Sequence, residues 1–175
     1  MICGLACDAA VQLPAIFGSH MVLQRELPLP IWGRADPGES VTVELATADG
    51  KEKQTASTKT GPDGKWRITF KPIRTGPSYV LAVKASNEIQ LTNIEAGEVW
   101  FCSGQSNMHW TFDKSQQVDN NDKELQAAHY PKIRFFTVKK ALADQPQDDA
   151  PGEWLVCNPP NLLAGGPNGM SALAD

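Results

Sequence analysis

The sequence is short of histidine, short of tyrosine and without a basic stripe. Its 175 residues include three histidines, two tyrosines and four cysteines, and 20 acidic side chains face 16 basic ones. The formal charge of −4 is scattered along the chain. That balance argues against nucleic acid or an anionic membrane surface as the main partner. No run approaches the roughly 18–20 apolar residues of a membrane-spanning helix, so no transmembrane segment is expected. Cys3, Cys7, Cys102 and Cys157 offer only a lone Cys3-x3-Cys7 spacing with no second pair downstream. No zinc or other metal site is therefore expected. Cys102 and Cys157 read as buried thiols.

What is present is ordinary for a folded chain: 41% hydrophobic and 21% charged residues, enough for one domain and part of another. Residues 1–10 of MICGLACDAAVQ read as the remnant of an export signal, with Leu5-Ala6-Cys7 faintly like a lipoprotein cleavage box. A periplasmic or secreted location is the corresponding expectation.

Residues 11–95 read as short strands separated by turns. Val41, Val43 and Leu45 alternate with polar residues, as do Trp66, Ile68 and Phe70, and then Tyr79, Leu81 and Val83. Asp36-Pro37-Gly38, Asp49-Gly50 and Gly61-Pro62-Asp63-Gly64 are turn signals at intervals typical of an all-β domain. The expectation is a small, immunoglobulin-like β-sandwich.

The character changes near Glu95. Residues 98–102 form an apolar run expected to be a strand buried on both faces. Asp122 to Tyr130 suits a short helix ended by Pro131, and Ile133 to Val138 a second strand. Strand, helix, strand would open an α/β domain over residues 96–161. Ala141 to Pro151 reads as a polar loop, and residues 162–175, rich in glycine, as a poorly ordered tail.

Between the apolar run and the helix lies Ser103-Gly104-Gln105-Ser106-Asn107. A serine where a buried strand turns into a helix presents its hydroxyl at the sheet's carboxyl end, and its N–H can stabilise an oxyanion. Gly104 leaves the turn unobstructed. The pattern is not the Gly-x-Ser-x-Gly elbow, and a polar turn with Ser103 or Ser106 as helix cap accounts for the same residues. A serine nucleophile also needs a base. His109 is too close in sequence to Ser106 to arch back, His20 belongs to the sandwich, and His129 ends the short helix. No histidine of the chain is expected to serve.

Four blocks of the sequence, LPAIFGSHMVLQRELPLPIWGRADPGESVTVEL (13–45), DGKWRI (63–68), GEVWFCSGQSNMHW (97–110) and YPKIRFFTV (130–138), resemble bacterial sialate O-acetylesterases, SGNH-type carbohydrate esterases. The resemblance runs from about Leu13 to Asn161. It implies a β-sandwich followed by a flavodoxin-like α/β/α hydrolase domain. Ser106 would be the nucleophile and an oxyanion donor, supported by Gly104, Gln105 and Asn107. The substrate would be an acetylated carbohydrate, cleaved through an acyl-enzyme without metal or organic cofactor.

The chain departs from the family pattern after Asn158-Pro159, where a glycine-rich stretch stands in place of an apolar helix. The blocks carrying the family's general base and orienting acid have no counterpart, and Asp144, Asp148 and Asp149 are not expected to replace them. The expectation is a truncated, nearly inactive fragment of an esterase. The competing expectation is a non-catalytic module, whose Trp32, Trp66 and Tyr79 either stack on sugars or fill the core. Nothing in the sequence addresses oligomeric state.

Overall fold

The computed structural model describes residues 10–104, 111–112, 119–139 and 141–163. Strands dominate them: β1 (Val22–Gln24), β2 (Leu29–Arg34), β3 (Ser40–Thr47), β4 (Lys53–Lys59), β5 (Lys65–Phe70), β6 (Tyr79–Lys84) and β7 (Glu88–Gly97) come first. Helix α1 (Asn121–Ala127), β8 (Tyr130–Val138), β9 (Gly152–Cys157) and helix α2 (Pro159–Leu163) follow.

The alternating sequences make two sheets with one shared core. β1-β7-β6-β3-β4 form a five-stranded sheet, and β2 pairs with β5 in a second. Val41, Val43, Leu81, Val83, Ile94 and Ile31 have no measurable exposure, and Trp66, Ile68 and Phe70 of β5 close the same core from the other side. At Gly50, φ of 72° makes the β3–β4 turn one that glycine takes without strain. The β2–β5 pair needs glycine for a different reason. A Cβ on Gly33 would lie 2.2 Å from the Gln12 carbonyl oxygen and 2.9 Å from the Trp66 ring.

β1 joins this sheet in parallel with β7, Val22 facing Glu95 and Gln24 facing Gly97. β7 therefore runs through residue 95, where the sequence suggested a boundary, and Ala96 is buried in the shared core. None of the helices among the described residues is long and apolar enough to cross a membrane.

Beyond Gly97 two expectations are corrected. Residues 98–102 are irregular and exposed, not a buried strand: Trp100 is 83% and Phe101 93% exposed. No strand among the described residues pairs with them or covers their apolar side chains. Cys102 is likewise exposed, whereas Cys157 is buried as expected. Nor does β8 pair with the 98–102 segment. It forms an antiparallel hairpin with β9, Phe135 opposite Leu155 and Phe136 opposite Trp154. A second, small core of Phe112, Ala128, Cys157 and Leu162 gathers behind the hairpin, with Leu125 and Phe135 against it. Helix α2 reaches into the segment expected to lack order, and residues 164–175 lie outside the described residues.

The hairpin is fastened to the two-sheet unit. Trp154 donates its indole N–H to the Ile16 carbonyl at 2.7 Å. The connecting loop contributes Asp149, which accepts from the Ala15 amide at 2.9 Å. Its Asp148 lies 2.6 Å from Arg34 and 3.0 Å from Lys65. The loop is exposed, as its composition suggested, yet two of its three aspartates act as fasteners.

Candidate active site

The chain entering the serine segment is held by the end of β1. Gln24 donates to the Glu98 carboxylate at 3.1 Å and accepts from the Val99 amide at 2.9 Å, so one side chain grips two consecutive residues. Arg25 adds a charged bond to Glu98 at 2.6 Å, and its own amide donates to the Gly97 carbonyl. Bonds from Gln24 and then Arg25 hold the Glu98 carboxyl below the usual range, and the bond to Glu98 raises Arg25 above its own. This clamp fixes where the chain leaves the sheet.

Past the clamp, Gly104 is exposed and irregular. Gln105, Ser106 and Asn107, the heart of the candidate site, lie outside the described residues together with His109. The chain is described again at Thr111 and Phe112, which are 2% and 6% exposed. Asn121, the first residue of α1, donates to the Phe112 carbonyl at 3.1 Å. The segment thus leaves from an anchored strand end and returns to an anchored, buried pair.

The two described histidines are placed elsewhere. His20 has a left-handed backbone (φ 72°) and its Nδ1 lies 2.6 Å from the side-chain Nδ2 of Asn93, a residue itself left-handed at φ 54°. His129 is exposed just beyond α1. Asp144 is exposed, and Asp148 and Asp149 serve the loop's attachment. Of the three aromatic residues considered for sugar stacking, Trp66 and Tyr79 are core residues at 3% exposure. Trp32 alone keeps 38% of its surface open.

One charged group escaped the sequence reading. The Arg134 side chain is 3% exposed, with Glu95 at 3.8 Å and the Asn93 side-chain oxygen at 3.3 Å. Its Nε and Nη1 have no acceptor among the described residues. Burial lowers its pKa, and Glu95 opposes that shift. The signal was available in Ile133-Arg134-Phe135, a lone cation inside an apolar strand. Arg134 joins the hairpin to β7 two residues before the Gly97 at which the strand ends, so the same strand end that launches the serine segment also receives the hairpin.

A groove elsewhere, lined by Glu26, Glu52, Gln54, Ile73, Arg74 and Tyr79, belongs wholly to the two-sheet unit and includes no residue of the serine segment.

No family model matches the chain. The chain is similar to the sialate O-acetylesterase of Rattus norvegicus, with 33% identity over 165 residues, covering 89% of this chain and 30% of that protein. With the Homo sapiens sialate O-acetylesterase it shares 36% identity over 141 residues, 75% of this chain and 26% of that one. Among solved structures, a carbohydrate acetylesterase from Xanthomonas citri superposes with a TM-score of 0.80 at 29% identity, covering 94% of this chain and 35% of the other. The chain therefore spans about a third or less of the length of these proteins. Over most of its own length it is similar to sialate O-acetylesterases of mammals and to a bacterial carbohydrate acetylesterase.

Proposed function

We propose that the chain belongs to the sialate O-acetylesterase family and forms the nucleophile-bearing part of a carboxylic ester hydrolase for acetylated sugars. The similarity to sialate O-acetylesterases over 89% of the chain carries this reading. On this reading the two-sheet unit is an immunoglobulin-like β-sandwich, and residues 96–161 are the first part of an α/β/α hydrolase domain of the SGNH type.

Ser106 attacks the acetyl carbonyl of a sugar ester, the sugar hydroxyl leaves, and water releases acetate from the acyl-enzyme. The Ser106 amide donates one hydrogen bond to the tetrahedral oxyanion. Gly104, Gln105 and Asn107 are the residues of the motif that support Ser106. The clamp of Gln24 and Arg25 on Glu98 and Val99 contributes by fixing the chain's exit from β7, since a small misplacement of a nucleophile costs much of its rate. Proton removal from Ser106 is the step for which the described residues offer no base. His20 is bonded to Asn93, and His129 stands in the open after α1. Without a positioned base, turnover falls by orders of magnitude.

The test is acylation rather than turnover. The 175-residue protein is treated with a fluorophosphonate probe, with and without added imidazole as an external base, and the adduct is located by peptide mass spectrometry. The expected result is a slow adduct on Ser106 that imidazole accelerates and that is absent from Ser106→Ala. An adduct on another serine, or none after prolonged exposure with imidazole, overturns the assignment.

A further inference from the structure

The outward side of the β2–β5 sheet is unusual for this acidic chain. Pleating sends Leu29, Ile31 and Gly33 of β2 and Trp66, Ile68 and Phe70 of β5 into the core. The opposite face consists of Pro30, Trp32, Arg34, Lys65, Arg67 and Thr69, with no acid of its own. Arg34 stands directly across from Lys65, and Trp32 directly across from Arg67. Like charges opposite one another on a sheet repel. Asp148 relieves one pair by reaching in from the loop to both Arg34 and Lys65. Arg67, beside them, has no acceptor among the described residues.

Three cations are thus met by a single carboxylate, and the unmatched one adjoins the only strand-borne tryptophan left partly open on the two-sheet unit. The Trp32 ring packs against Phe17 at 74° with centroids 4.6 Å apart, a contact that restrains the indole. A restrained indole takes the apolar face of a pyranose ring, and an adjacent guanidinium takes a carboxylate through paired N–H donors. Neither half alone specifies a ligand. Together, at cross-strand distance, they fit a ring that carries both a hydrocarbon face and an anionic group.

We propose that Trp32 and Arg67 form an accessory binding site for a carboxylated sugar, separate from the serine segment. The sugar stacks on Trp32 and its carboxylate pairs with Arg67. Arg34 and Lys65 supply attraction at longer range, partly neutralised by Asp148. No ester is needed at this site, so its occupancy is independent of whether Ser106 is a nucleophile.

The full chain is titrated with 3′-sialyllactose and, separately, with lactose, by NMR or calorimetry at low salt. Sialyllactose binds weakly, at about millimolar Kd, and at least several-fold tighter than lactose, as expected for one charge-assisted contact. Arg67→Gln removes that preference; Trp32→Ala weakens binding of both sugars about tenfold or more. Both side chains point away from the core, and far-UV circular dichroism verifies that the variants fold. Equal affinity for the two sugars, no binding of either, or unchanged titrations in both folded variants each overturns the proposal.

Discussion

Trp154 and Ile16 meet through a hydrogen bond of 2.7 Å from indole nitrogen to carbonyl oxygen, joining the last strand to a turn near the beginning of the described chain. The bond is half-buried and Trp154 also packs against the core of the two-sheet unit, so it ties the hairpin down rather than decorating its surface. Replacing Trp154 by Phe retains a ring and removes the donor, leaving the Ile16 carbonyl short of a partner. The expected cost is about 1 kcal/mol. Hydrogen exchange shows where it falls: β8 and β9 lose protection while β3 and β6 keep theirs. Equal loss in both places would mean the hairpin and the two-sheet unit unfold together.

The Arg134–Glu95 pair allows a prediction about order rather than size. Removing one partner of a buried pair leaves an uncompensated charge, whereas replacing the cation with an apolar side chain removes the problem along with the pair. Glu95→Gln should therefore destabilise by roughly 3 kcal/mol. Arg134→Met should cost distinctly less, because the two donors that find no acceptor among the described residues disappear as well. Urea midpoints of the two variants decide it. If Arg134→Met is the worse of the two, the guanidinium contributes through contacts other than Glu95.

Asp148 carries a pH prediction. Bonds from Lys65 and then Arg34 hold its carboxyl below the usual range. A carboxyl whose folded pKa is depressed stabilises the fold above its unfolded pKa of about 3.9, and that contribution vanishes as pH falls through the lower, folded value. Asp148→Asn should accordingly be the less stable protein at pH 7, and the two should converge towards pH 2. Glu98 is depressed in the same sense, so some acid sensitivity survives in the variant. Parallel pH profiles for the two proteins would show that the ion pairs contribute nothing.

Much of the strand content of the two-sheet unit was legible because its signals are local, although β4, with no apolar alternation, was not read. Each inward position of β3, β5 and β6 follows from alternation, and the turns at Gly50 and Gly64 from their glycines, both left-handed in the structure. Parallel pairing of β1 with β7 was not legible, since a three-residue strand has too little pattern to name its partner. The apolar run at 98–102 misled for an instructive reason. Hydrophobicity states what a segment would bury, and Trp100 and Phe101 have nothing beside them among the described residues to bury against. At the candidate site, Ser106 was singled out as the candidate nucleophile by its neighbours in sequence, and it lies outside the described residues. The clamp by Gln24 was out of reach, because it depends on two residues far apart in the chain meeting at a strand end.

The parallel pairing of β1 with β7 also has a consequence in time. Val22, Leu23 and Gln24 are made early, and their partners Glu95, Ala96 and Gly97 are the last residues of the sheet to be made. A nascent chain must hold β1 without its neighbour until nearly the whole unit has emerged, and then insert it in one long-range closure. Such closures are slow and leave backbone donors open to stray strands meanwhile. The same closure that threads Gln24 onto Glu98 is thus the final stitch of the sheet, and the serine segment acquires its fixed point of departure only when that stitch is drawn.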